Sequence, residues 1–127
     1  MSFCDYWENK ILNHIFNKAA YTAEVLEVAL STTTPDDAGN TFTEPSGNGY
    51  VRVTTAESDW ATSTAGLITN ANPIVFPTAT GSWGTCTYFG IYAGTTLAAT
   101  GILTTSKTIN NGDTPSFSVG ILKVYLD

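Results

Sequence analysis

The sequence predicts a mainly β protein, an antiparallel β-sandwich or jelly roll of about seven or eight short strands with one N-terminal α-helix. Three observations predict it. Apolar residues recur at fours only near the N-terminus, they alternate at twos in short runs from residue 24 onward, and Gly, Pro, Asn and Asp punctuate those runs. An open barrel is the alternative closure. No internal repeat or linker divides the 127 residues. The chain is read as one domain, 1–127, with the helix at 2–19 and the β-sandwich at 24–127.

The helix is "SFCDYWENKILNHIFNKA". Ser2 with Asp5 three residues on gives a reciprocal capping pattern, and Phe3, Trp7, Ile11, Ile15 and Ala19 form a stripe with Leu12 and Phe16 beside it. Lys18 near the end suits the helix dipole. Such a stripe must lie against its own domain or against a neighbour.

After Tyr21 the period becomes two. "EVLEVALST" sets Leu26, Val28 and Leu30 against Glu27, Ala29 and Ser31, the pattern of a half-buried strand. "TTPDDAGNTFTEPSGNGY" is a long loop, and "YVRVTT" alternates again. A short strand is predicted at Leu67 to Thr69. "PIVF", between Pro73 and Pro77, is confined to a short or edge strand because proline cannot donate to a ladder. In "SWGTCTYFGIY" Phe89 and Ile91 are assigned to the core, which puts Cys86, Tyr88 and Tyr92 on the opposite face. "TTLAATGILTTSKTI" reads as another strand or two, "NNGD" as a tight turn at Gly112, and "SFSVGILKVYLD" as a final strand with Leu122, Val124 and Leu126 inward.

Charge narrows the function classes. The net charge is −6 with only five Lys and Arg, so no basic patch exists for phosphate backbones or anionic lipid, and neither nucleic acid nor membrane is expected as a partner. No apolar run approaches the roughly 18–20 residues that span a bilayer, and the acidic N-terminus is unlike a signal peptide, which predicts a cytoplasmic start. Cys4 and Cys86 are expected to be buried or inert thiols. From Trp60 to Ser106 there is no Asp, Glu, Lys, Arg or His. A neutral stretch that long predicts strand faces covered in the working state, although a Thr-rich surface is soluble without charge.

No catalytic constellation emerges, and the chain is expected not to be an enzyme. His14 stands among apolar helix residues with no local partner. "GSWG" lacks the glycine two before the serine that a nucleophile elbow requires, because that position is Thr80. "GNG" at 47–49 lacks the third glycine of a dinucleotide loop. Asp36 with Asp37, and Glu57 with Asp59, could pair for glycoside chemistry or calcium, but the spacing is not that of an EF-hand and such acids are usually solvated turn formers. Trp60 and Trp83 could form a sugar platform; in sandwiches tryptophan is more often core. No metal and no cofactor is expected.

The succession "NHIFNKAAYT", "LEVALSTTTPDDAG", "TEPSGNGYVRV", "IVFPTATGSWGT", "YFGIY", "LTTSKTINNGDTPSFSVGIL" and "VYLD" resembles a family of short tailed-bacteriophage proteins generally labelled phage tail fibre proteins. In size and type the chain is also similar to phage capsid cement or decoration proteins. The resemblance implies a virion structural protein made and assembled in the bacterial cytoplasm. The first reading is a cement or decoration protein that forms a homo-oligomer and binds other virion proteins, the major capsid protein first. The alternative is a tail, neck or fibre-associated module. The interface residues expected on either reading are Phe3, Tyr6 and Trp7 on the helix and Tyr88 and Tyr92 on the strand.

Overall fold

The computed structural model describes residues 2–126; Met1 and Asp127, the ends of the predicted domain, lie outside them. The chain is mainly β and antiparallel, with one helix near its N-terminus, as the periodicity predicts. Strands β1 (Ser2–Phe3), β2 (Leu26–Ser31), β3 (Val53–Thr54), β6 (Gly84–Ala93) and β7 (Thr96–Ile109) form one sheet in the order β1-β7-β6-β2-β3. Two small ribbons complete the fold: β4 (Leu67–Thr69) with β9 (Lys123–Tyr125), and β5 (Ile74–Val75) with β8 (Ser116–Phe117). Val28, Leu30, Phe89, Ile91 and Ala99 from the sheet meet Ile74, Phe76, Leu122 and Val124 from the ribbons in a single core cluster. The core therefore lies between the sheet and the ribbons, the layered arrangement of a sandwich.

Helix α1 runs Asp5–Ile15, shorter than 2–19 at both ends. At the start, β1 pairs with β7 through Ser2↔Thr100 and Phe3↔Ala99, which holds Ser2 in a strand and makes Cys4 the N-cap. At the end, Asn17 takes the left-handed conformation (φ 59°), and the amides of Lys18 and Ala19 both donate to the Asn13 carbonyl. That closure satisfies an orphan carbonyl and stops the helix.

The alternation of β2 also hides something. Val28, Ala29, Leu30 and Ser31 are all buried, so both faces of the strand are covered. The second face is closed by the long loop after β2. Ser31 Oγ accepts from the amides of Thr33 and Thr43, and the Phe42 ring lies over the sheet where a Cβ on Gly90 would stand 2.7 Å from it. The uncharged segment is thereby explained in part by the chain itself: the centres of β6 and β7 are buried by its own loop, ribbons and β1.

Cys86 corrects the predicted facing of β6. It is buried in the core with Phe89 and Ile91 rather than opposite them. Between Cys86↔Lys107 and Tyr88↔Ile102 the register advances two residues on β6 and five on β7, and across this irregularity the core-facing side changes from even to odd positions. β7 is consequently one long irregular strand rather than two. At the C-terminus Leu122 and Val124 are buried as predicted, whereas Leu126 is exposed because β9 ends at Tyr125.

Two loops quoted for the resemblance lock together. The Asn48 carbonyl accepts from Trp83 Nε1 (2.8 Å) and from the Thr80 amide (3.0 Å), and Asn48 Nδ2 donates to the Ser82 carbonyl (2.9 Å). A Cβ on Gly81 would come within 2.6 Å of the Asn48 side chain, so "SGNGY" and "ATGSWG" meet only because residue 81 is glycine.

Candidate interaction surfaces

An apolar groove of about 1240 Å³ lies between α1, the sheet and segment 55–63. Trp7 and Ile11 wall it from the helix, Leu26 and Ile91 from the sheet, and Trp60 and Ile68 from the far side. Both tryptophans are fixed by their ring nitrogens: Trp7 Nε1 donates to Tyr21 Oη (2.9 Å) and Trp60 Nε1 to Thr55 Oγ1 (3.0 Å), while Thr55 Oγ1 donates to the Leu26 carbonyl. Their indole faces are thus held at the groove with polar ends satisfied.

Beyond the groove, the end of α1 is bare. Leu12, Ile15 and Phe16 are 54, 66 and 70% exposed. Phe3 and Trp7 pack against the core with their rings edge to face at 5.1 Å, so the helix stripe divides into a docked first half and an open second half. Tyr6 donates to Glu24 Oε1 (2.9 Å) and carries the Lys10 ammonium over its ring; that hydrogen bond raises the phenol above its ordinary pKa.

Tyr88 and Tyr92 are half-buried on β6. The Arg52 guanidinium stacks on Tyr92 at 3.5 Å while gripping Glu44 with Nε (3.0 Å) and Nη2 (2.9 Å), and its Nη1 reaches Glu27 (3.4 Å). The Tyr50 hydroxyl donates to Glu44 (2.7 Å) and accepts from the Leu30 amide (3.1 Å); burial, then this carboxylate, hold it far above the ordinary phenol range. The network ties the long loop onto the sheet and engages Tyr92 within the chain.

The remaining candidates are placed apart. His14 is exposed and accepts from the Tyr21 amide at Nδ1. Asp36 Oδ1 accepts from the Asn40 amide, closing a turn. Asp37 lies beside Asp5 and Glu8, an exposed group whose carboxylate oxygens fall within 4.8 Å of one another. Glu57 is exposed on the groove rim. Asp59 accepts from the Ala56 amide (2.8 Å) and Asn72 Nδ2 (3.1 Å), which lower its pKa. Trp83 is 4% exposed and belongs to the core, so it shares no platform with Trp60. Cys4 and Cys86 are free and buried, and burial pushes both thiols up to about 11, with Asp37 adding to the shift at Cys4. No helix among the described residues is long and apolar enough to cross a membrane.

Asp59 serves the turn. Its carboxylate stabilises the fold above the ordinary carboxylate pKa, and that contribution disappears as pH falls through the lowered native value. Asp59→Asn is expected to cost a few degrees of Tm at neutral pH, and the gap to wild type should close in acid. Calorimetry across that range checks it.

Sequence reasoning missed Arg52 and the groove itself. The groove draws on residues from six separate stretches of chain, and no local spacing announces it.

An antiparallel β domain with two apolar features left open suits the class of bacteriophage structural proteins, and comparison with known families puts the chain in that class. A family model described as Podophage GP4 fiber I protein gp80 matches residues 2–125, and the chain belongs to this family. No curated protein matches it significantly.

Proposed function

We propose that this phage structural protein is a fibre-associated module of the virion, which joins a fibre to the particle or contacts the host surface. The family's description as a fibre protein is the observation that carries this reading, and it favours the fibre role over a cement role on the head. The role is one of binding rather than reaction: of the four carboxylates that sequence reasoning weighed for catalysis, Asp36, Asp37, Glu57 and Asp59, one in each pair, Asp36 and Asp59, accepts a backbone amide in a turn, while the exposed helix end and the groove offer apolar contact area. Its partners are other virion proteins and further copies of itself, with no part for nucleic acid, membrane or cofactor.

Copy number tests the reading. Quantitative mass spectrometry of purified virions against the major capsid protein should give a few to a few dozen copies per particle. Hundreds of copies, comparable with the shell subunit, would overturn it in favour of a cement protein.

A further inference from the structure

We infer that the bare end of α1 on one copy seats in the Trp7/Trp60 groove of another copy, so that the chain carries both halves of its own assembly contact. The insert is Leu12, Ile15 and Phe16, the exposed continuation of the helix whose earlier turns wall the groove. A helix is stiff, and its end cannot fold back into the groove that its own Trp7 and Ile11 enclose. The groove of one copy is therefore free for the helix end of the next.

Charge favours the same occupant. In a chain of net charge −6, two of the five Lys and Arg flank the apolar insert, Lys10 before it on α1 and Lys18 just past the helix end; both are exposed, and the helix's acids, Asp5 and Glu8, lie in its first turn. Neither lysine forms an ion pair; among the described residues Arg52 holds the ones observed. The groove rim is acidic. Glu24 accepts only from the hydroxyls of Tyr6 and Tyr21, and the Glu57 side chain has no partner among the described residues. A cationic, apolar insert facing an acidic, apolar slot has the complementarity that fixes register and suppresses wrong partners.

Size agrees as well. In a reciprocal pair each copy contributes both its groove and its insert, and together these reach the roughly 20–30 residues per side of a standard stable interface. Trp7 and Trp60, held rigid by their hydrogen bonds, are the residue type that dominates such contacts. The contact joins different patches on the two copies. It closes as a reciprocal pair if each helix reaches the other's groove, and as a ring if the rotation repeats.

The inference rests on the self-association proposed above but not on where on the particle the chain sits, so its failure would leave the fibre location, tested by copy number, standing. The test uses the full chain at high micromolar concentration, with mass measured by light scattering. The expected mass is a multiple of 13.5 kDa. Phe16→Asp, at a site 70% exposed, should leave the circular dichroism and Tm unchanged and weaken assembly at least tenfold. Ala61→Arg, in the groove wall, should do the same from the other side. Mixing the two variants should restore association, because each supplies the half the other lacks. A monomeric wild type would overturn the inference, whether or not its tryptophan fluorescence then responds to a glycan or to another virion protein. So would a Phe16→Asp variant that assembles as before, or a mixture that stays monomeric.

Discussion

Replacing Asn70 by alanine is expected to lower the stability of the fold by about 3 kcal/mol, combining an unpaired buried amide with a small cavity. Asn70 is 1% exposed, and both polar atoms of its side chain are hydrogen-bonded. Its Oδ1 accepts from the Leu122 amide (3.0 Å), and its Nδ2 donates to the carbonyls of Asn72 (2.9 Å) and Ser118 (3.0 Å). Its own backbone accepts from Gly120 and donates to Leu122. One side chain therefore holds the end of β4 to the turn between β8 and β9, and both ribbons depend on it. Alanine leaves the Leu122 amide buried with no acceptor. Urea denaturation should show a lower midpoint with an unchanged m-value. Asn70→Asp separates shape from hydrogen bonding: it keeps the volume but turns a carboxylate toward carbonyls, so its loss should exceed alanine's at neutral pH and shrink in acid. A change below about 0.5 kcal/mol for either variant would contradict this account, since that is the range of ordinary surface substitutions.

Asn70 also shows where the sequence stops being legible. In "ITNANP" it has the composition of a turn, and nothing local reveals that the chain returns near residue 118 to bury it. The readable features are those set by neighbours in sequence. β4 is found at Leu67–Thr69 because three apolar and β-branched residues end before Asn and Pro, and β2 is found because its period is two. The mistakes concern distant partners. The helix begins at Asp5 because β7 captures Ser2 and Phe3, and Cys86 faces inward because β7 slips against β6. For the candidate surfaces, the apolar helix stripe was legible as a stripe. Which half of it stays open was not, since that depends on where the sheet ends beneath it.

Trp83→Ala is expected to cost about 4 kcal/mol, within the range for removing a large buried aromatic. Its ring stands edge-on to Tyr50 at 5.2 Å and to Phe76 at 6.5 Å, and Phe76 continues the cluster to Phe117. Alanine would leave Tyr50 and Phe76 facing a void, and Tyr50 is the residue that joins the sheet amide of Leu30 to the Glu44–Arg52 network. Damage at position 83 should therefore spread to the long loop. Trp83→Phe makes the argument specific. It preserves most of the packing but removes the Nε1 donor, so the Asn48 carbonyl keeps only the Thr80 amide. The expected loss is about 1–2 kcal/mol, the net value of one hydrogen bond plus a smaller ring. Amide exchange distinguishes the two effects: in Trp83→Phe protection should fall at Thr80 and its neighbours while Leu30 stays protected, whereas in Trp83→Ala both should open. Equal losses in the two variants would mean that the hydrogen bond to Asn48, rather than the aromatic cluster, holds the two loops together.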